Sequence, residues 1–269
     1  MTKSAEKIIC AALHLPPLPG SANAAKSSGR DAMQQTIDFA LRNAEMAVSN
    51  GISALYIQDL GDHPVKKEIP PYIIGGMAVV GYALRQAFPE LKLGLCFMGH
   101  GAKEPISVAK AIGADFVRLK VFVGAMLKAE GVLEGCAAEA QEYQTLLGAE
   151  NVQLLVDVYD RTGVPLAPLP LSEVCKQAAV FGNADALILT GISYAETVDR
   201  IKEVRAADLG VPLLIGGGVN FGNVAEALQL ADGIIVSSVL KGQDRFSADT
   251  FSKDWNADTI RSFMAAAGV

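Results

Sequence analysis

The feature that most constrains this chain is a recurring link that carries a helical segment into an apolar run. It occurs as Asn50-Gly51-Ile52-Ser53, Ile112-Gly113-Ala114-Asp115, Gly182-Asn183-Ala184-Asp185 and Leu230-Ala231-Asp232-Gly233. A Gly or Asn suits the left-handed cap that ends a helix, and the small residues beside it let the backbone turn tightly. Around these links, strand-length apolar runs alternate with longer stretches of helical period, which is the pattern of a parallel sheet wound with helices. The runs predict strands over 8–13, 54–58, 92–97, 115–121, 152–158, 186–190, 211–215 and 233–237, each followed by a helix. Half of the 269 residues are hydrophobic (51%), enough for a large core. Barrels of about 250 residues form one domain, so residues 1–269 are expected to be a single unit.

An open doubly wound sheet would give the same alternation, so closure has to be read from the residues within each strand. In Phe116-Val117-Arg118-Leu119-Lys120-Val121 the odd-numbered positions are aliphatic, as suits the face beneath the helices, and Arg118 and Lys120 share the other face. Gln153, Asp157 and Tyr159 alternate in the same way with Leu154, Val156 and Val158, and His14 follows Leu13. Polar groups that point inward late in the strands predict an α/β fold of the (β/α)₈ TIM-barrel type, with its site at the carboxyl ends of the strands.

Charge narrows the partners. A net charge of −6 and a pI near 5.2 argue against nucleic acid or an anionic membrane surface, both of which call for a basic patch. Cys10, Cys96, Cys136 and Cys175 are scattered without metal or disulfide spacing and read as reduced thiols. The first residues carry no export signal, and no apolar run reaches the roughly 18 residues of a membrane helix. A cytoplasmic protein that binds a small molecule is expected, with self-association into a homo-oligomer through exposed helix faces.

The last two strands carry the clearest site signal. One ends in Gly216, Gly217 and Gly218, the other in Ser237 and Ser238. In many barrels these two loops hold phosphate, because glycines let backbone N–H groups approach its oxygens. The plain alternative is a crowded turn beside two core hydroxyls. His14, His63 and His100 fall just past the first three strands. Together with Asp62 they could gather round a divalent metal, although their spacing matches no ligand motif, and no cofactor is predicted. His14, fixed by the Pro-rich turn that follows it, is a candidate for proton transfer.

Asp59, Asp62, Arg118, Lys120, Asp157 and Arg161 supply further charge at strand ends. Lys120 beside Asp157 could act through a depressed pKa, or the two could form a buried ion pair. The expected catalytic set is His14, Asp62, Arg118, Lys120 and Asp157. Gln58, Asp59, His100, Tyr159 and Thr190 are expected to contact substrate. Residues 122–135 exceed a minimal connection and read as a lid. The tail after Asp244, with Trp255 and Phe263 at helical spacing, reads as the last helix.

His14-Leu15-Pro16-Pro17-Leu18-Pro19-Gly20, Leu60-Gly61-Asp62, Val123-Gly124-Ala125-Met126, Glu134-Gly135, Val156-Asp157-Val158 and Ala231-Asp232-Gly233 together resemble the BtpA/SgcQ family over almost the whole chain. The resemblance implies a phosphate-binding barrel related to the ribulose-phosphate group. Some members of the family are linked to photosystem I assembly in cyanobacteria, and others sit among sugar-metabolism genes. The sequence departs from the usual family pattern at Gln58-Asp59, at Phe97-Met98-Gly99-His100, at Lys120 and Phe122, and at Tyr159 and Arg161, whereas His14, Asp62, Arg118 and Asp157 keep it. Two functions stay open: an enzyme (lyase, isomerase or hydrolase) acting on a phosphorylated sugar or nucleoside-type metabolite, and a non-catalytic binding or assembly factor.

Overall fold

A computed structural model describes residues 7–24, 31–242 and 253–268. Its strands, in chain order, are β1 Ile8–His14, β2 Ala54–Gln58, β3 Lys92–Cys96, β4 Phe116–Leu119, β5 Ala125–Lys128, β6 Gly131–Glu134, β7 Gln153–Val158, β8 Val164–Pro165, β9 Ala186–Leu189, β10 Leu213–Ile215 and β11 Gly233–Val236. Eight of them close a parallel barrel in the order β1-β11-β10-β9-β7-β4-β3-β2. The closed barrel is therefore found and the open sheet is not. The eight barrel strands fall where the sequence places them, with ends shifted by a residue or two.

The recurring links have a second purpose beyond turning the chain. Asp115, Asp185 and Asp232 each accept a hydrogen bond from an amide at the start of the neighbouring strand, those of Leu93, Leu154 and Leu213, at 2.8, 2.7 and 2.8 Å. Each aspartate also donates its own amide to the carbonyl of the same residue. Strands four, six and eight of the barrel are thus pinned in register to the strands before them. The left-handed caps appear at Gly113 (φ 71°) and Asn183 (φ 51°), but Ala231 is extended, so the fourth link turns without one.

Helices α1 Ala32–Val48, α2 Pro71–Ala87, α3 Lys103–Ile112, α4 Ala137–Leu147, α5 Leu171–Lys176, α6 Tyr194–Ala206, α7 Val224–Leu230 and α8 Ala257–Ala267 surround the barrel. The larger core lies between helices and strands and takes in Leu55, Ile57, Val117, Leu119, Leu154 and Val156. A smaller core fills the barrel itself with Cys10, Tyr56, Cys96, Phe116, Ile188, Leu214 and Ile235. Gly94 is required there, because a Cβ would lie 2.1 Å from the Phe116 ring. All four cysteines are free and buried. Trp255 is buried but precedes α8, so it does not share a helix with Phe263; its amide donates to Asn43 Oδ1 of α1 at 2.6 Å. Asp244 lies outside the described residues.

The segment read as a lid contains the hairpin β5–β6, which pairs with β8 as a small antiparallel sheet. Met126 and Leu133 pack beneath it against Val121. A buried ion pair from Lys128 on β5 to Asp160 just past β7 fastens the hairpin to the barrel. Burial pushes Asp160 up, but Lys128 and the amide and hydroxyl of Thr162 together hold it below the ordinary carboxylate range. This connection buries a paired charge and its own apolar cluster against the barrel, and none of residues 122–135 lines the cavity at the barrel mouth. Among the described residues no helix is long and apolar enough to cross a membrane.

Candidate functional site

A cavity of about 700 Å³ opens at the carboxyl ends of the barrel strands. Its walls include His14, Gln58, Arg118, Lys120, Asp157, Thr190, the three glycines 216 to 218, Ser237 and Ser238. They converge because each sits at or just beyond the end of a barrel strand, His14, Gln58, Arg118 and Asp157 on the inward face that alternation assigns to polar residues and the glycines and serines in the loops that follow.

On one side the polar groups are bound to one another. Arg118 reaches Asp157 through Nε and Nη2, both at 2.8 Å, and its Nη1 donates to the Tyr56 hydroxyl at 2.6 Å. Burial raises the Asp157 carboxyl, and the guanidinium pulls it down. Two parallel charge-assisted bonds of this length favour the ionised pair. The alternative Lys120–Asp157 ion pair does not form; Lys120 Nζ donates to the carbonyl and the sulfur of Met98, at 3.1 and 3.2 Å. Gln58 Nε2 donates to the same sulfur at 3.0 Å.

His14 stands between β2 and β11 and faces Ser237, with Nδ1 3.4 Å from the hydroxyl. Burial, then the positive charges of Lys241 and Arg118, lower its pKa to about 3, so the ring is neutral at physiological pH. It can donate or accept a hydrogen bond without carrying charge.

The opposite side is built differently. The Gly216 amide completes the sheet by donating to Leu189 O at 3.1 Å. The amides of Gly217 and Gly218 donate to no group among the described residues. Thr190 is buried with its hydroxyl unpartnered, and that oxygen lies over Gly216, 2.1 Å from where a Cβ would be. The Arg161 guanidinium lies 3.5 Å from the Cβ position of Gly217. Ser238 begins a 3-10 turn, Ser238–Lys241, at the end of the last strand.

Four expected site residues do not reach the cavity wall. Asp62 accepts from the Leu18 amide through both oxygens at 3.2 Å and anchors the Pro-rich turn. Asp59 is buried and accepts from the Met98 amide at 2.7 Å; burial lifts its pKa to about 6. His100 Nε2 meets the Glu134 carbonyl at 2.6 Å, tying down β6. Tyr159 adopts a left-handed backbone (φ 53°), and its hydroxyl bonds both the carbonyl and the amide of Leu169. Strand alternation stops applying at Tyr159 because the chain has left the sheet. Among the described residues no three His, Cys, Asp or Glu side chains gather closely enough to hold a metal ion; His63 is exposed and apart from His14 and His100.

The cavity also contains groups that the sequence did not single out. Tyr56 and Met98 continue the inward parity of Gln58 and Cys96, so that signal could have found them. Tyr194 lines it from the first position of α6 and Asn220 from the loop before α7, where strand alternation does not operate.

Fold and site together define a TIM barrel with a polar, strongly hydrogen-bonding mouth at the carboxyl end of its strands. The chain belongs to the BtpA family, whose profile matches residues 5–265. An uncharacterized protein of Archaeoglobus fulgidus is 32% identical over 238 residues, covering 88% of this chain and 92% of its own. The photosystem I biogenesis protein BtpA of Synechocystis is 28% identical, covering 85% and 78%. Among solved structures, phosphoribosyl anthranilate isomerase of Thermus thermophilus superposes with a TM-score of 0.56 over 97% of this chain and 98% of that one, at 14% identity. That likeness is one of fold.

Proposed function

We propose that the chain is an enzyme acting on a phosphorylated sugar or nucleoside-type metabolite, by lyase, isomerase or hydrolase chemistry. The observation that carries this reading is the cluster of unused donors at one end of the cavity: the Gly217 and Gly218 amides, the orphaned Thr190 hydroxyl and the Arg161 guanidinium. A buried hydroxyl without a partner is costly unless a ligand completes it. Donors of this kind, converging where the last barrel strands end, suit phosphate oxygens. The Synechocystis relative's name does not bear on this end of the site.

At the other end, Lys120 supplies positive charge where negative charge develops on the reacting ligand, and Arg118, its charge balanced by Asp157, offers N–H donors. Neutral His14 exchanges a proton or polarises an oxygen, as uncharged imidazoles do in other barrels. Asp157 acts through Arg118, holding it by two bonds, and is a positioning residue.

The test is Gly217→Asp. A Cβ at Gly217 meets nothing closer than Arg161 at 3.5 Å, so the substitution fits while placing a carboxylate against the phosphate donors. Wild-type protein should melt higher in the presence of inorganic phosphate or hexitol phosphates, by mass action. The variant should lose that shift, and an undiminished shift would remove the phosphate site.

A second reading, a non-catalytic assembly factor, is favoured by one observation. Val132, Leu127 and Val164 stand side by side across the small sheet, all exposed. An apolar row of this kind suits contact with a protein.

A further inference from the structure

The barrel order places the two ends of the cavity on opposite sides of the mouth. Lys120 and Met98 follow β4 and β3, which lie three and four steps round the eight-stranded barrel from β10, the strand that ends at the glycines, and Gln58 ends β2, three steps from β10 the other way round. A ligand whose phosphate sits at the glycines therefore presents its far end to Lys120 and Gln58.

At that far end Lys120 is the cation without a direct ion pair, with the Asp59 and Asp157 carboxylates acting on it at longer range. Arg118 is neutralised by Asp157, and Lys128 by Asp160. Lys120 forms no ion pair among the described residues; its acceptors are one carbonyl and one thioether. Gln58, itself buried, donates to the same thioether. A thioether sulfur is a weak acceptor, so two strong donors share one poor partner. The ammonium has three protons to donate, and the two bonds to Met98 leave one in search of an acceptor.

We infer that the ligand carries a carboxylate at the end remote from its phosphate, held by Lys120 Nζ and Gln58 Nε2 in place of the Met98 sulfur. This deepens the phosphate reading and rests on it. A carboxylate offers two oxygens in one plane, one for each donor, and its charge compensates the unpaired ammonium. Asp59 accepts from the Met98 amide and so steadies the residue from which both donors would be drawn.

A matched pair of probes tests this. 6-Phosphogluconate and glucitol 6-phosphate share a six-carbon chain and a terminal phosphate, and differ only in carboxylate against hydroxymethyl at the far end. Calorimetric titration of the full chain should give at least about tenfold tighter binding of 6-phosphogluconate, the value of one charge-assisted contact. That preference should collapse towards one in Lys120→Met, and should reverse in Gln58→Glu, where a second negative charge meets the carboxylate. Thermal unfolding of both variants checks that they are folded.

Equal affinity of wild-type protein for the two probes would overturn the carboxylate while leaving the phosphate site standing. A preference that survives in Lys120→Met would overturn the assignment to Lys120. If 6-phosphogluconate binds no better than gluconate and glucitol 6-phosphate does not bind, the phosphate reading fails; the carboxylate subsite then stands only if gluconate binding is lost in Lys120→Met. Silence with all three probes overturns both. Equal or tighter binding of glucitol 1,6-bisphosphate, lost in Lys120→Met, would overturn the carboxylate in favour of a second phosphate.

Discussion

The two sides of the barrel mouth treat their polar groups in opposite ways. On the side of β2 to β7 the protein answers its polar groups, Lys120 and Gln58 excepted: Asp157 with Arg118, Asp160 with Lys128, Asp62 with the Leu18 amide, His100 with the Glu134 carbonyl. Around the ends of β9 and β10, donors are left unmatched: the Gly217 and Gly218 amides, the Thr190 hydroxyl and, reaching in from the loop after β7, the Arg161 guanidinium. The comparison teaches that carboxylates and histidines at strand ends of such a mouth serve its architecture as readily as its chemistry. The buried Thr190 hydroxyl is the stronger sign of a ligand, because a buried donor left unmatched is costly, whereas the half-buried Gly217 amide and the exposed Gly218 amide and Arg161 guanidinium are open to water.

The largest effect that would sharpen this contrast comes from Asp157→Ala. It strands the buried Arg118 charge with only Tyr56 for company, and breaking a buried pair by removing one partner costs about 3–5 kcal/mol. Urea unfolding should show a loss in that range; a loss under about 1 kcal/mol would mean that the self-satisfied side is not held by its ion pairs.

Next comes Gly216→Ala, whose methyl would lie 2.1 Å from Thr190 Oγ1 and 2.6 Å from Ile188 Cγ2. Overpacking of this kind costs about 1–3 kcal/mol. Gly217→Ala, with no close neighbour, should stay within about 0.5 kcal/mol. Similar losses at both positions would break the view that the loop is close-packed at one glycine and open at the next.

A subtler effect belongs to Asp59. Its folded pKa, near 6, lies above its ordinary value of 3.8, so the fold prefers the neutral carboxyl. The sign follows: this group's contribution to stability is full below the unfolded value, falls as pH rises from about 4 to 6, and stays low above that. Asp59→Asn keeps an acceptor for the Met98 amide and removes the charge. It should raise the melting temperature at pH 7 by the equivalent of on the order of 1 kcal/mol or somewhat more, and flatten the profile between pH 4 and 6. An unchanged profile would show that burial does not oppress this carboxylate.

The smallest effect is expected at Leu127→Lys. Leu127 is 49% exposed at the centre of the apolar row, so the change should stay within about 0.5 kcal/mol by urea unfolding. A loss above about 1 kcal/mol would show that the row is packed rather than presented to a partner.

The barrel was legible in the chain because period-two and period-3.6 patterns are local, and because the link ending in Asp115, Asp185 and Asp232 repeats wherever one strand is pinned to the last. Inward parity also delivered His14, Gln58, Arg118, Lys120 and Asp157 to the cavity wall. Which of them pair was not legible. Whether Asp157 meets Arg118 or Lys120 depends on side-chain reach across neighbouring strands, and both lie on the same face of β4 or its continuation. Tyr159 and the hairpin escaped for a related reason. Once the chain leaves the sheet, alternation no longer reports direction, and the pairing of Lys128 with Asp160 that docks the hairpin on the barrel joins residues 32 apart in the chain. Sequence by itself determined the strands, their faces and the glycine and serine loops, since these follow from backbone geometry and the burial of apolar side chains. Tertiary structure alone decided which charges are neutralised and which donors remain open, because that balance is struck between residues far apart in the chain and brought within 3 Å only when the barrel closes.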